Sequence, residues 1–180
     1  MLSIVIPQLD FWDEAKEEFI VIPPVLLQLE HSLVSISAWE AKYHTPFLHK
    51  EALTNEEVMD YIQCMTVTEN VSPETYLRLT EENVRQIKDY IYNPMTATTF
   101  SKDNTGRRNR EVVTSEIIYY WMIALNIPCE YQHWHLNRLL TLIRVCNIKN
   151  SPPKKRNMRD IIRRNEALNE ARKQKYNTSG

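Results

Sequence analysis

The sequence predicts a mainly helical α+β fold: a small N-terminal β element, a bundle-like helical core and a basic C-terminal helical extension. Three observations carry this reading. Only two of the 180 residues are glycine, Gly106 and Gly180, which speaks against folds built on many positive-φ turns and excludes glycine-rich phosphate loops. Apolar residues recur at helical spacing behind Ser and Thr caps over most of the chain. Short β-branched runs ended by proline stand near the N-terminus.

Leu2–Ile6 and Glu18–Ile22 are such runs and read as strands, with Val25–Leu29 as a third. Between the first two, Asp10–Glu17 reads as a turn or short helix that sets Phe11 and Trp12 among acids. Ser32–Tyr43 is the first long helix, with Leu33, Ile36 and Trp39 or Glu40 at helical spacing, and Pro46 ends it. Thr54-Asn55-Glu56-Glu57 is a capping box in front of Val58, Tyr61, Ile62 and Met65. Ser72-Pro73-Glu74 starts a segment through Tyr76, Leu77 and Leu79, and Thr80 caps a helix through Val84, Ile87 and Ile91. Pro94–Arg110 is a polar loop with a cationic far end. The most hydrophobic helix follows over Glu111–Leu125, with Val113, Ile117, Trp121 and Ala124 on one stripe. A break at Asn126-Ile127-Pro128 and a partner helix over Tyr131–Val145 imply an antiparallel pair. Arg159–Lys173 can form a basic amphipathic helix. The expected organisation is a β element over residues 1–30, a helical core over 31–148 and a basic linker and extension over 149–180.

Charge divides along the same line. Residues 149–180 carry ten basic and three acidic side chains, whereas residues 1–148 carry twelve basic and twenty acidic ones. An acidic body with a basic tail follows, and the tail suits an acidic partner or a nucleic acid. It lacks interleaved aromatics and any nucleic-acid module, so a solvated or protein-binding helix is the favoured reading. Cys64, Cys129 and Cys146 are odd in number and widely spaced, as reduced cytosolic thiols are. No secretory signal and no apolar run of the roughly 20 residues needed to span a membrane are seen. Residence in a cytoplasm, with no membrane association, is the expectation.

No constellation of residues calls for catalysis, a cofactor or a metal. His133 and His135, two apart on a helix, would point about 200° apart and could not share a face. Cys64 and Cys146 read as small buried hydrophobes, and the remaining histidines, His31, His44 and His49, as surface or boundary residues. Acid pairs such as Glu17-Glu18, Glu56-Glu57 and Glu81-Glu82 mostly occupy first helical turns, where the helix dipole favours anions. Trp39, Trp121 and Trp134 sit in apolar stripes and read as core. Candidate partner-binding residues are therefore the aromatic pair Phe11 and Trp12, together with the cationic positions Lys154, Lys155, Arg156, Arg159, Arg163 and Arg164.

Several stretches in order resemble a known group of proteins. His31-Ser32-Leu33-Val34-Ser35-Ile36-Ser37-Ala38-Trp39-Glu40 is followed by Lys42 and Pro46-Phe47-Leu48, and then by Pro94-Met95-Thr96-Ala97-Thr98-Thr99-Phe100. Ile117-Ile118-Tyr119-Tyr120-Trp121-Met122 comes next. Trp134-His135-Leu136-Asn137-Arg138-Leu139-Leu140 then leads into Leu142-Ile143-Arg144-Val145-Cys146-Asn147. Over about residues 28–175 the chain resembles small tail-morphogenesis proteins of tailed bacteriophages, in particular the tail assembly chaperones. The resemblance implies a non-enzymatic protein of the bacterial host cytoplasm that is not retained in the mature virion. Its implied partners are the tape measure protein, which it keeps from aggregating, and the tail tube protein. Self-association and a frameshifted longer product diverging near the basic end are further implications. The alternative is a nucleic-acid-associated or minor structural virion protein that uses the basic tail.

Overall fold

A computed structural model describes residues 1–14, 17–100, 112–152 and 158–176. The chain forms two compact units, Met1–Asn147 and Ile148–Gly180. In the first, four strands, β1 (Leu2–Ile6), β2 (Leu9–Asp13), β3 (Glu18–Ile22) and β4 (Val25–Leu29), precede the helices. These are α1 (Leu33–Tyr43), α2 (Asn55–Met65), the single turn α3 (Pro73–Tyr76), α4 (Glu81–Tyr92), α5 (Ser115–Ala124) and α6 (Leu136–Asn150). The second unit is built on α7 (Met158–Tyr176). The mainly helical α+β class is therefore what the chain adopts. No described helix is long and apolar enough to cross a membrane.

The β element is one antiparallel ribbon in two halves. β1 pairs with β4 and β2 with β3, and the same register runs through both: Ile6 lies opposite Val25 and Leu9 opposite Ile22. Pro7, Gln8, Pro23 and Pro24 separate the halves, because proline has no N–H to give the ladder. The inner face of the proximal half buries Ile4, Ile6, Leu27 and Leu29. They meet Leu33, Ile36 and Trp39 of α1, Ile62 and Met65 of α2, Ile87 of α4, Ile118 and Met122 of α5, and Leu136, Leu139 and Ile143 of α6 in one core. The far edge of β4 is covered after α2, where Val67 N–H donates to Gln28 O (2.8 Å) and Glu30 N–H to Met65 O (2.8 Å).

Several local expectations need correction. Leu9–Asp13 is a strand, not a turn or short helix: Phe11 faces Ile20 and Trp12 faces Phe19 across the ladder, and these cross-strand pairs outweigh the acids around them. Leu77 is exposed. α5 begins at Ser115, after Thr114, and buries Ser115, Ile118 and Met122; Ile117 and Trp121 are half-buried and Ala124 is exposed. The stripe read from sequence was thus rotated by one position, because the helix starts later than its apolar composition suggests. The Tyr131–Val145 helix is broken into a 3-10 turn, Cys129–His133, and α6, and the main helical packing of α5 is against α1. Scarce glycine did not forbid left-handed turns, since Glu17, His44, Asn70, Met95 and Asn126 all take positive φ. The far end of the polar loop, residues 101–110, lies outside the described residues.

Glu40 holds the helical layer together. Its buried carboxylate accepts from Phe47 N–H (2.8 Å) and Ser115 N–H (2.7 Å), which ties the turn after α1 and the start of α5 to α1. Thr114 makes no side-chain cap, so Glu40 satisfies a free amide that a local cap leaves open. Glu40→Ala strands two backbone donors. It is expected to lower the unfolding free energy by about 3 kcal/mol in urea titrations, with Glu40→Gln losing less. His44 caps the C-terminus of α1 at φ 53° with its side chain in solvent. His44→Gly should raise stability by about 1 kcal/mol, because glycine carries no Cβ penalty there.

Candidate partner-binding site

β2 and β3 form an arm beyond the proline break and pack chiefly on each other. Alternation along an antiparallel pair puts Leu9, Phe11, Ile20 and Ile22 on one face and Trp12, Phe19 and Val21 on the other. Both faces are apolar, which is the pattern of a sheet meant to be covered twice. Yet Trp12 is 48% exposed, Val21 57% and Phe19 73%. Trp12 and Phe19 meet edge to face with centroids 4.9 Å apart. By the same alternation the exposed Val5 and Leu26 of β1 and β4 continue the Leu9 and Phe11 face, whereas Trp12, Phe19 and Val21 continue the face that buries Ile4, Ile6 and Leu27 in the proximal half. At the break the Arg78 guanidinium donates to Pro7 O and, at 3.1 Å, to Pro23 O, while Asn83 Nδ2 donates to Val5 O (3.4 Å). The arm thus has a fixed root and an uncovered body.

Acids surround these apolar faces. Asp10, Asp13, Glu14, Glu17 and Glu18 stand against one lysine, Lys16, in this stretch of sequence. Gln8 Nε2 donates to Asp10 Oδ1 (2.8 Å), and the register sets Asp13 opposite Glu18. Phe11 and Trp12, the aromatic pair singled out in the sequence, both lie in this arm. Leu9, Phe19 and Val21 complete it and were missed. The available signal was proline-bounded runs of equal length on either side of an acidic turn.

A second apolar strip lies on α5, where Tyr120 is 66% and Ile123 76% exposed, one helical turn apart. In the second unit, Arg163 and Arg164 are exposed on α7, as are Ile162, Leu168 and Tyr176. Arg159 is in the same helix. Lys154, Lys155 and Arg156 lie outside the described residues.

The titratable groups of the interior form a separate cluster where β4 leads into α1. His31 and His135 are both buried, with ring centroids 5.1 Å apart. His31 Nδ1 is 2.5 Å from the Tyr61 hydroxyl, and His135 Nε2 is 3.0 Å from Tyr90 O. The Tyr90 hydroxyl donates to Glu30 (2.6 Å). His31 is therefore a core residue, not a boundary one. His135 sits just before α6, bridged to Ser32, while His133 is exposed. Burial, then the neighbouring His135, push His31 down to about 3, and burial lowers His135 too. Both rings are neutral at pH 7 and serve as hydrogen-bonding core. His31 and Tyr61 also line a cavity of about 510 Å³ between α2 and α4, walled by Val58, Ile62, Val84 and Ile87. Cys64 and His133 share a hollow of about 400 Å³ without a hydrogen bond between them. Burial, then Asp60, hold the Cys64 thiol above its usual range, so it stays protonated at neutral pH. Among the described residues no group of three or more His, Cys, Asp or Glu is placed to hold a metal ion.

The histidine pair gives stability a defined pH response. Unfolding frees each ring to take a proton below its ordinary value of 6.5, which the folded chain resists. Stability held at pH 7 is expected to fall below pH 6.5, by about 1.4 kcal/mol per pH unit for His31 on the way towards pH 3, with His135 adding to the fall in the same direction. Urea unfolding at stepped pH measures the slope, and His31→Gln should reduce it. Comparison of the chain with protein-family models, with curated proteins and with solved structures found no match.

Proposed function

We propose that this chain binds another polypeptide through uncovered apolar surface, as a tail assembly chaperone that keeps a tape measure protein soluble and brings tail tube subunits to it. The observation that carries the reading is the arm: a hairpin apolar on both faces, rooted by Arg78, with Phe19, Val21 and Trp12 in solvent. Such a surface is stable in isolation only at a cost, and covering it by a partner removes that cost. The α5 strip at Tyr120 and Ile123 adds a second surface of the kind that accepts an amphipathic helix. In this reading no bond is made or broken. The protein acts in the host cytoplasm and is left out of the finished virion, and the order of motifs from His31 to Asn147 gives the phage assignment.

Co-expression tests it. A tape measure protein that aggregates alone should stay soluble and co-purify with this chain, and Trp12→Ala/Phe19→Ala should abolish the rescue. An unchanged pellet with the intact chain would reject the chaperone role. A second reading, a nucleic-acid-associated or minor virion component, is favoured by the exposed Arg163, Arg164, Arg172, Lys173 and Lys175 of α7. It predicts salt-sensitive DNA or RNA binding that is lost on deleting residues 154–180.

A further inference from the structure

The arm differs from an ordinary exposed apolar patch in three respects, and together they define the partner. Both faces are apolar, so what needs covering is a face rather than an edge. Pro7, Pro23 and Pro24 at its root withhold ladder donors, and each strand of the arm has only five residues. Strand addition there would gain few main-chain hydrogen bonds. Sheet faces, by contrast, bury well against helices. Finally, the charged side chains described around it, Asp10, Glu14, Glu17 and Glu18, are all acidic and exposed.

That charge separates the candidate occupants. A second arm would bring two acidic hairpins together, and like charges across a ladder are destabilising. An anionic bilayer would repel the same carboxylates that flank Trp12 and Phe19. A helix with an apolar stripe bordered by Lys and Arg meets neither obstacle, because its stripe covers the Trp12 and Phe19 face of the arm and its cations meet Asp10 on that face and Glu14 and Glu17 beside the turn.

We propose that the β2–β3 arm is a docking site for a basic amphipathic helix of the partner polypeptide. The proposal rests on the polypeptide-binding reading above and names the chemistry of the segment that the arm takes. In it, Trp12, Phe19 and Val21 supply the contact that sets residence time. The acids supply steering and discrimination against acidic helices.

The test uses the full chain and two labelled helical peptides with the same leucine stripe, one carrying lysine on its polar face and the other glutamate. Anisotropy at low salt should show the Leu/Lys peptide binding at least tenfold more tightly than the Leu/Glu peptide. Trp12→Ala/Phe19→Ala should weaken Leu/Lys binding at least tenfold. Asp10→Lys/Glu14→Lys should invert the preference. All four side chains are exposed, and unchanged urea midpoints confirm that the variants fold. Leu/Lys binding that survives the aromatic double variant would place the contact elsewhere on the acidic body and overturn the proposal. So would equal binding of both peptides, or no binding up to about 100 µM. Self-association or uptake by neutral vesicles that depends on Trp12 and Phe19, with no peptide preference, would assign the arm to those occupants and overturn it as well. Failed co-expression would remove the tape measure assignment and leave the peptide preference standing. A failed peptide experiment would remove this role of the arm and leave the co-expression result standing.

Discussion

Three prolines and one arginine split a continuous antiparallel ribbon into a half that belongs to the core and a half that does not. Without the break, the register that pairs Ile6 with Val25 would carry its hydrogen bonds straight on to Leu9 and Ile22. Pro7, Pro23 and Pro24 remove the donors at that point, and the carbonyls they leave are taken up by Arg78. The guanidinium replaces ladder hydrogen bonds with a clamp from outside the ribbon. The proximal half can then stay flush with α1, α2 and α4, while the distal half leaves the core surface. Everything proposed for function depends on this separation, because a ribbon packed along its whole length would hide Trp12 and Phe19.

The energetics of the distal half fit a segment completed by a partner. An isolated two-stranded hairpin is marginal in water. Here the edge-to-face contact of Trp12 and Phe19 and the anchored root hold it together. Fully covering a side chain the size of Phe19 is worth about 2 kcal/mol, and a partner that is already helical keeps that gain because it has no segment left to order. The acids around the arm oppose self-pairing and keep an apolar hairpin from aggregating, as charged residues do on exposed strand edges. In the proposed role the same carboxylates would also select the partner.

How much of this the sequence revealed depends on the range of the interaction involved. Caps were legible because they are local: Thr54 with Glu57, Ser72 before Pro73 and Thr80 before α4 stand where the residue types place them. β1, β3 and β4 were legible from β-branched runs ended by proline. β2 was not, because Asp10, Asp13 and Glu14 resemble a turn until Ile20 and Phe19 are known to lie opposite Phe11 and Trp12. The start of α5 was misplaced because its cap is supplied by Glu40, seventy-five residues earlier in the chain. Likewise, no local signal marks His31 and His135 as neighbours: their contact is made by the bridge between Ser32 and His135 and by the Leu136 N–H donated to His31 O at 2.7 Å. Phe11 and Trp12 were legible as an exposed aromatic pair by composition alone. Phe19 and Val21 needed the register.

The interior histidines bear on function by what they leave out. A general base or metal ligand needs solvent or substrate at its free nitrogen and a pKa near the working pH. His31 spends Nδ1 on Tyr61 and is held near 3, and His135 spends Nε2 on Tyr90 and accepts at Nδ1 from Asn137 N–H at 3.3 Å. These bonds join the end of β4, α2, α4 and the start of α6, and α4 also carries Asn83, which donates to Val5 O beside the root of the arm. The polar centre and the proline break therefore work in one direction: the first fixes the ribbon to the helices, and the second lets its far end project. In the proposed role, binding strength at the arm would follow how firmly its root is held. A loose root would charge each encounter the entropy of re-forming the hairpin, and a clamped one presents Trp12 and Phe19 already in place.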